Sequence, residues 1–258
     1  MDPTDCRAWL FDLDGVLTRT ADLHAAAWKS AFDGFLAART SPAPGTPSSG
    51  FDPVEDYLRY VDGRPRTDGG RTFLASRGIT LPEGEADDPP TAQTVMGVAN
   101  AKNTLFQELL ETGRVAVYDG AVELVRLLKA RGVPVAVVSA SENTPAVLRA
   151  AGIAGLFDAC VDGTVVKERR LAGKPAPDSY LEAAAMLGID PALAAIVEDA
   201  QAGVEAGRSG HFGLVVGVDH TGQADALRSH GADLVVGDLG ELLPGFLGPA
   251  GGTGRALT

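Results

Sequence analysis

The stretch AWLFDLDGVLT, residues 8–18, decides the fold. Four apolar residues, Ala8 to Phe11, lead directly into Asp12, and Asp14 and Gly15 follow. Such an apolar run is typical of a strand that is buried on both faces of a parallel sheet, and the glycine indicates the turn that ends it. Open α/β sheets bind their ligands at the carboxyl ends of these strands. The stretch therefore predicts two carboxylates at the mouth of a sheet.

The composition is that of an ordinary globular chain. Its 258 residues are 45% hydrophobic and 22% charged, which allows one large domain or a core with a smaller second unit. The formal net charge of −12 argues against a nucleic-acid partner, because the phosphate backbone selects basic surfaces. A small anionic substrate stays compatible with this charge if local cations or a metal offset the field.

The cysteines and the N-terminus indicate the compartment. Cys6 and Cys160 are the only cysteines and do not form a CxxC pair, so neither a disulfide framework nor a thiolate metal site is predicted. The N-terminus is acidic and polar, and no apolar run approaches the roughly 20 residues of a membrane helix. We expect a cytoplasmic monomer without membrane contact.

The chain divides into a helical block and an alternating block. Apolar periodicity predicts helices at 20–32, 54–61, 71–77 and 100–110, no strand among them, and an exposed Ser/Pro/Gly-rich loop at 39–53. Predicted strands at 133–138, 156–161, 194–197, 214–218 and 234–236 alternate with helices, which implies βαβ units. We therefore predict a Rossmann-like α/β core (1–19 and 112–247) with a parallel sheet, an inserted all-helical domain (20–111) and a flexible tail (248–258).

Polar side chains stand at further strand ends of the predicted sheet. Ser139 ends the strand 133–138, Glu198 and Asp199 end the strand 194–197, and Lys174 lies in the proline-stiffened loop GKPAPD. Parallel strands and the loops above them share one sheet edge, so these groups should meet there.

The two aspartates of the first strand, Asp12 and Asp14, fit either turn chemistry or a metal site when taken alone. Beside further carboxylates they need a cation, and all-oxygen donors suit Mg²⁺. A lysine and a serine at such a metal would bind phosphate, and an aspartate can act as a covalent nucleophile.

Four motifs occur in a fixed order: D-x-D-G-V, a strand-terminal serine, G-K-P-x-P-D and E-D-x-x-x-G. From about Trp9 to Val236 this pattern resembles the haloacid dehalogenase superfamily of phosphotransferases, and it implies a HAD-like core with a cap. The resemblance implies that Asp12 is the nucleophile and Asp14 the general acid/base. It also implies that Ser139 and Lys174 hold the transferring phosphoryl group. The implied Mg²⁺ ligands are Asp12, Asp14 through its backbone carbonyl, Glu198 and Asp199.

The inserted helices carry a second resemblance, to the β-phosphoglucomutase family. T-x-x-x-H-x-x-x-W is similar to the first cap helix of that family, GRPR at 63–66 to its distal-phosphate loop, Lys102-Asn103 to its cap K-N pair, and SASEN at 139–143 to its S-A-S-x-N loop. Considered singly, the cap residues would be a surface or packing histidine, a core tryptophan and a solvated arginine. The resemblance implies substrate contacts by Thr20, His24, Trp28, Gly63, Arg66 (with Arg64 in reserve), Lys102, Ser139, Ala140, Ser141, Asn143 and Lys174.

These resemblances imply an enzyme that converts β-D-glucose 1-phosphate to glucose 6-phosphate through an aspartyl-phosphate and a 1,6-bisphosphate. One rival is a sugar-phosphate phosphatase with the same active residues. A second is a catalytically silent binding protein, which is disfavoured because no motif position is lost. The insert at 39–53 and the acidic connection at 83–90 depart from the family pattern and leave the exact sugar open.

Overall fold

The computed structural model of the protein describes residues 1–39, 50–62, 64–112 and 115–247. Six parallel strands form one sheet in the order β3-β2-β1-β4-β5-β6. The strands are β1 (Ala8–Asp12), β2 (Val135–Val138), β3 (Ala159–Val161), β4 (Ala194–Glu198), β5 (Leu214–Val218) and β6 (Leu234–Val236). The predicted α/β class with a parallel sheet is confirmed, and β1 lies at its centre between β2 and β4.

The two faces of β1 bury side chains of different size. Trp9 and Phe11 point to one face, where they pack with the helix α4 (Asp119–Ala130) and the helix α5 (Thr144–Ala150). Ala8 and Leu10 point to the other face, against the helix α7 (Asp178–Leu187). Every residue of β1 is buried, so the apolar run has the two-sided burial that a central parallel strand requires.

The remaining core helices are α6 (Gly163–Arg169), α8 (Gln201–Ser209), α9 (Ala224–Ser229) and α10 (Leu243–Leu247). The sequence patterns predicted neither α6 nor α10. Two strands are also shorter than predicted, because β2 begins at Val135 and a 3₁₀ turn occupies Ala154–Leu156 before β3.

Between β1 and α4 the described chain contains only helical elements: α1 (Ala21–Ala37), a π-helical turn at Tyr57–Val61, α2 (Arg66–Ser76) and α3 (Val95–Thr112). An aromatic cluster that includes Trp28, Phe32, Phe51 and Phe73 holds them together. The helix predicted at 71–77 begins earlier than expected, because α2 already starts at Arg66. Most of the predicted loop 39–53 and the whole predicted tail 248–258 lie outside the described residues.

Two neighbouring segments connect the helical insert to the sheet. Thr18 and Val117 form an antiparallel bridge, and the backbone N–H of Arg19 donates to the carbonyl of Ala116 at 2.8 Å. The two chain crossings are thus tied to each other directly beside the end of β1. No helix in the described ranges is both long and apolar enough to cross a bilayer.

Candidate active site

Asp12, Lys174 and Glu198 form a buried ion cluster at the carboxyl edge of the sheet. The Lys174 Nζ atom lies 2.5 Å from Asp12 Oδ1 and 2.5 Å from Glu198 Oε1. Burial opposes the charge of Lys174, but the two carboxylates more than offset this and raise its pKa well above its ordinary value. Burial raises the pKa of Asp12. The charge of Lys174 lowers it, but the charges of Glu198 and Asp14 raise it further, and the pKa lies well above its usual value. The lysine is therefore charged, and it points at the predicted nucleophile.

Glu198 positions the lysine and is itself fixed by two further donors. Its Oε1 accepts a hydrogen bond from the Tyr180 hydroxyl at 2.8 Å, and its Oε2 accepts one from the backbone N–H of Ala200 at 3.0 Å. Gly203, the glycine of E-D-x-x-x-G, lies against this carboxylate, and a β-carbon there would overlap it. The glycine of the motif therefore makes the space that Glu198 occupies.

Gly203→Ala is expected to lower both turnover and stability, because the new methyl group displaces Glu198 from Lys174. Overpacking of this kind costs about 1–3 kcal/mol of unfolding free energy. Gly34→Ala is the matched control, since Gly34 is also helical and has open space around its α-carbon. Denaturant unfolding should show a gain for Gly34→Ala and a loss for Gly203→Ala. A gain in both variants would contradict the proposed packing.

Asp14 lies at the start of a buried polar chain that runs into the helical insert. The Thr20 hydroxyl donates to Asp14 Oδ1, His24 Nε2 lies 3.3 Å from the same oxygen, and Lys102 Nζ lies 2.7 Å from His24 Nδ1. When Lys102 is protonated its ammonium can only donate, so in that state His24 Nδ1 accepts and His24 Nε2 carries the proton that faces Asp14. The imidazole also stacks on Phe106 with a centroid distance of 4.1 Å.

The electrostatics of this chain favour an ionised Asp14 beside a neutral imidazole. Burial acts to raise the pKa of Asp14, but His24, Thr20 and Lys102 outweigh it, so the pKa lies below its usual value. Burial and the charge of Lys102 lower the pKa of His24. In this state Asp14 is a hydrogen-bonded carboxylate that can accept a proton.

Lys102 is buried at 5% exposure, and burial lowers its pKa from 10.5 to about 7. Between these two pH values the unfolded chain binds the proton more tightly than the folded protein, so the stability of the wild type rises with pH across this window. Lys102→Met has no titrating group at this position, so its stability lacks this pH dependence. We therefore expect the stability of the variant relative to wild type to improve as the pH is lowered from 10.5 to 7.

The same variant should lose turnover by roughly tenfold or more, because Asp14 loses the oriented imidazole and general base catalysis is worth about 10²–10⁴-fold. Thermal unfolding at several pH values and kcat at pH 7.5 check both parts. A stability difference that is independent of pH between 7 and 10.5 would show that burial does not lower the pKa of Lys102.

The loop after β2 lies against both the insert and α6. The Ser139 hydroxyl accepts from the N–H of Ser141 at 3.1 Å, and the Asn143 side chain donates to Asn103 Oδ1 at 2.7 Å. A β-carbon on Gly163 would overlap the backbone of this loop at the Ala140 carbonyl. The loop is therefore held from both sides with Ser139 facing the site.

A cavity of about 640 Å³ lies between the sheet edge and the insert. Arg66, at the start of α2, reaches across it, and its Nη2 atom lies 2.9 Å from Glu142 Oε2 in the loop after β2. Trp28 contributes to the cavity wall, although it is only 4% exposed and stacks on Phe32 at 4.6 Å. The cavity wall thus combines carboxylates, cations and one aromatic edge.

Most of the predicted site residues meet at this cavity, with three differences. Thr20 is fully buried and binds Asp14, so it is not in the cavity wall as a substrate contact would be. Lys102 reaches the wall, but its ammonium is directed to His24. Gly63 lies outside the described residues. The predicted site residues that line the cavity are Asp12, Asp14, His24, Trp28, Arg66, Lys102, Ser139, Ala140, Ser141, Asn143, Lys174, Glu198 and Asp199.

Sequence reasoning missed two functional contacts. Tyr180 was predicted as part of a helix, and nothing in its spacing indicates that its hydroxyl reaches Glu198. Glu142 is the variable position of the SASEN loop, and it pairs with Arg66, which lies 76 residues away in the sequence.

The sequence model of the haloacid dehalogenase-like hydrolases matches residues 6–211. The chain belongs to this family. The β-phosphoglucomutase of Mycobacterium bovis is 50% identical over 244 residues, which are 93% of this chain and 93% of that protein. Within the family, the chain therefore belongs with the β-phosphoglucomutases, and it is an enzyme of the isomerase-like phosphotransferase class.

Two further comparisons concern a mutase of known structure and a phosphatase. The crystal structure of β-phosphoglucomutase from Clostridium difficile superimposes with a TM-score of 0.73 at 25% identity, covering 92% of this chain and 93% of that one. Hexitol phosphatase A of Escherichia coli is 30% identical over 92% of this chain and 93% of that protein. Relatives of this haloacid dehalogenase-like chain thus include mutases and phosphatases.

The donor chemistry of this site fits a divalent cation. Burial raises the pKa of Asp199, and the nearby carboxylates Glu198 and Asp12 raise it further. The Asp199 carboxylate receives no hydrogen bond from the described part of the chain. Gly15, with φ of +84°, leaves the space for it, because a β-carbon there would overlap this carboxylate.

The arrangement does not support all four predicted ligands equally. Both oxygens of Glu198 already accept hydrogen bonds, and the Asp14 side chain is turned to Thr20 and His24. Within the described ranges, no three His, Cys, Asp or Glu side chains converge on a cation position. Asp12, Asp199 and the backbone carbonyl of Asp14 are therefore the donors that stay available.

Proposed function

We propose that this protein interconverts β-D-glucose 1-phosphate and glucose 6-phosphate. The single observation that carries the proposal is the placement of two carboxylates with different surroundings at one cavity. Asp12 faces the charged Lys174, whereas Asp14 faces Thr20 and a neutral His24. A phosphomutase needs one group that acts as the nucleophile and another that carries the proton. The 50% identical β-phosphoglucomutase supports the choice of sugar.

In the first half-reaction Asp12 carries the phosphoryl group. The C6 hydroxyl of β-glucose 1-phosphate attacks it, so the bond between C6 oxygen and phosphorus forms while the bond from the Asp12 carboxylate to phosphorus breaks. Asp14 takes the hydroxyl proton. The product of this step is the 1,6-bisphosphate, and the charge on the phosphoryl oxygens is offset by Lys174 and the Ser139 hydroxyl.

In the second half-reaction the bisphosphate presents its other end. Asp12 attacks the phosphorus at C1, the bond between that phosphorus and the C1 oxygen breaks, and Asp14 returns its proton to the leaving oxygen. Glucose 6-phosphate is released and Asp12 is phosphorylated again. The residues that would hold Mg²⁺ are Asp12, Asp199 and the Asp14 carbonyl, and the ion would supply positive charge for the phosphoryl oxygens.

We assign residues 20–111 to a cap and residues 1–19 with 112–247 to the catalytic core. The contact between Arg66 and Glu142 joins the two across the cavity. A closed cap excludes water, which favours transfer to a sugar hydroxyl over hydrolysis.

A coupled assay tests the function. Purified protein, Mg²⁺, β-D-glucose 1-phosphate and a trace of the 1,6-bisphosphate should yield glucose 6-phosphate, and the α-anomer serves as the control substrate. Release of inorganic phosphate without glucose 6-phosphate would reject the mutase. That result would favour the second candidate, a sugar-phosphate phosphatase, for which Hexitol phosphatase A is the relevant relative.

A further inference from the structure

One face of α6 is turned to the cavity. The cavity-lining residues of this segment are Gly163, Val166, Lys167 and Arg170. Gly163, Val166 and Lys167 share one face of α6, whereas Arg170 directly follows the last residue of the helix in a left-handed conformation with φ of +55°. Lys167 and Arg170 therefore stand at the mouth of the cavity on the core side.

The orientation of this face is fixed by the local structure. Asp162 caps α6 by accepting from the N–H groups of Thr164 and Val165 at 2.9 Å and 3.0 Å. Gly163 packs against the loop after β2 so closely that a β-carbon would overlap the Ala140 carbonyl. The helix thus begins in contact with the loop that contains Ser139. Lys167 lies on the helix, Arg170 lies directly after it, and both line the cavity.

These two cations have no acidic partner in the described part of the chain. Arg169, between them in sequence, lies outside the cavity wall and pairs with Glu182. The chain has a net charge of −12, so two unpaired cations on the cavity face make this part of the surface more positive than the chain as a whole. Their positive charge is available to a ligand that enters the cavity.

The cap cation predicted for the second phosphate is already paired. Arg66 Nη2 lies 2.9 Å from Glu142 Oε2, so a phosphate group that binds Arg66 must displace or adjoin a carboxylate. A sugar bisphosphate has two dianionic ends, and only one of them can lie at Asp12, Ser139 and Lys174. The other end needs positive charge elsewhere on the cavity wall, which Arg64 offers on the insert and Lys167 and Arg170 offer on the core.

We propose that Lys167 and Arg170 bind the non-reacting phosphate group of the sugar bisphosphate and so help to select doubly phosphorylated sugars. This inference rests on the proposed function for the identity of the ligand. The site is on the core, so it is present whether the Arg66–Glu142 contact is made or broken. It would keep the bisphosphate associated with the core while its two ends exchange places.

The test is direct binding of β-glucose 1,6-bisphosphate, measured by calorimetry in an Asp12→Asn background that prevents turnover. Adding Lys167→Gln and Arg170→Gln should raise the Kd by roughly tenfold to hundredfold, which corresponds to about 1.4–2.7 kcal/mol for the two exposed cations together. Arg169→Gln removes the same charge from the same helix away from the cavity and should change the Kd by less than about twofold. Lys167→Arg should restore binding in part.

A second probe separates this site from the reacting one. Acetyl phosphate, a small phosphoryl donor, reports the site at Asp12. In the protein with Asp12 intact, its KM for phosphorylating the enzyme should rise less than the bisphosphate Kd does when the two cations are replaced. An unchanged bisphosphate Kd, or an equal effect on both ligands, would overturn the proposal. If the coupled assay yields no glucose 6-phosphate while the bisphosphate Kd still responds as expected, the mutase fails but the anion site stands.

Discussion

Asp12→Asn is expected to lower phosphoryl transfer by about 10⁴-fold or more, because an amide oxygen cannot form the acyl-phosphate and loss of a nucleophile costs this order of rate. The loss should be equal for the mutase and for any phosphatase activity, since both proceed through the same carboxylate. The measurement is the coupled assay together with mass detection of a covalent phosphate after incubation with acetyl phosphate. Wild-type protein should carry the phosphate on residue 12, and the variant should carry none.

The fold of this variant should be preserved. Asp12 lies among other carboxylates, and Lys174 keeps Glu198 as a partner when residue 12 becomes neutral. Asp87→Asn is the matched control, because Asp87 is exposed and has no side-chain hydrogen bond in the described part of the chain. Transfer in Asp12→Asn above roughly a hundredth of the wild-type rate would reject the nucleophile assignment.

The residues at the sheet edge could be predicted because most of them directly follow an apolar strand. An apolar run that stops at a polar residue fixes where the side chain stands, and parallel strands bring such ends to one edge. This argument predicts from the sequence that Asp12, Ser139 and Glu198 lie at the same sheet edge. It also located Lys174, since a loop between two such strands must cross the same edge.

The insert was less predictable because its contacts depend on tertiary packing. The start of α2 looked like a turn, since Asp68, Gly69 and Gly70 are poor helix formers. Gly69 is accommodated because its α-carbon packs against Val61, where a β-carbon would meet Val61 Cγ1 at 3.1 Å. The helix α6 is a short polar segment, GTVVKER, with too little periodicity to predict.

The contacts of Thr20 and Lys102 also differ from the predicted ones, because they depend on tertiary packing. The motif correctly placed Thr20 and Lys102 near the chemistry, but no sequence spacing states whether a side chain meets the substrate or another side chain. The structure assigns both to the chain that orients Asp14. In the proposed mechanism, the cap would therefore contribute to proton transfer through its buried groups as well as to enclosure of the substrate.

Lys174→Met is expected to have the largest effect on stability. The Lys174 side chain is 8% exposed and that of Glu198 is 1% exposed, so removal of the ammonium leaves carboxylates buried beside one another. Breaking a buried pair in this way costs about 3–5 kcal/mol of unfolding free energy. Lys129→Met is the matched control, because the pair of Lys129 with Asp158 is about one-third exposed on each side and should be worth about 0–1 kcal/mol.

The cost of Lys174→Met should depend on pH in a defined direction. Burial already raises the pKa of Asp12, and loss of the lysine removes the main opposing charge. A carboxyl group whose pKa is raised in the folded state stabilises the fold only while it is protonated, so the variant should recover stability as the pH falls and lose it as the pH rises. Denaturant unfolding between pH 5 and 8 measures this slope against wild type.

A double variant separates the buried charge from the lost contact. If the destabilisation comes from the unpaired negative charge, Lys174→Met combined with Glu198→Gln should be more stable than Lys174→Met alone, because the amide removes one of the crowded charges and can still accept from Tyr180. If the loss reflects only missing packing, the second substitution should add to the damage. Glu198→Gln alone is the reference, because its single amide oxygen cannot accept from both Tyr180 and the Ala200 N–H. If Glu198→Gln lowers stability by the same amount in wild type and in Lys174→Met, Lys174 acts as a spacer in this cluster and charge compensation is not its main contribution to the fold.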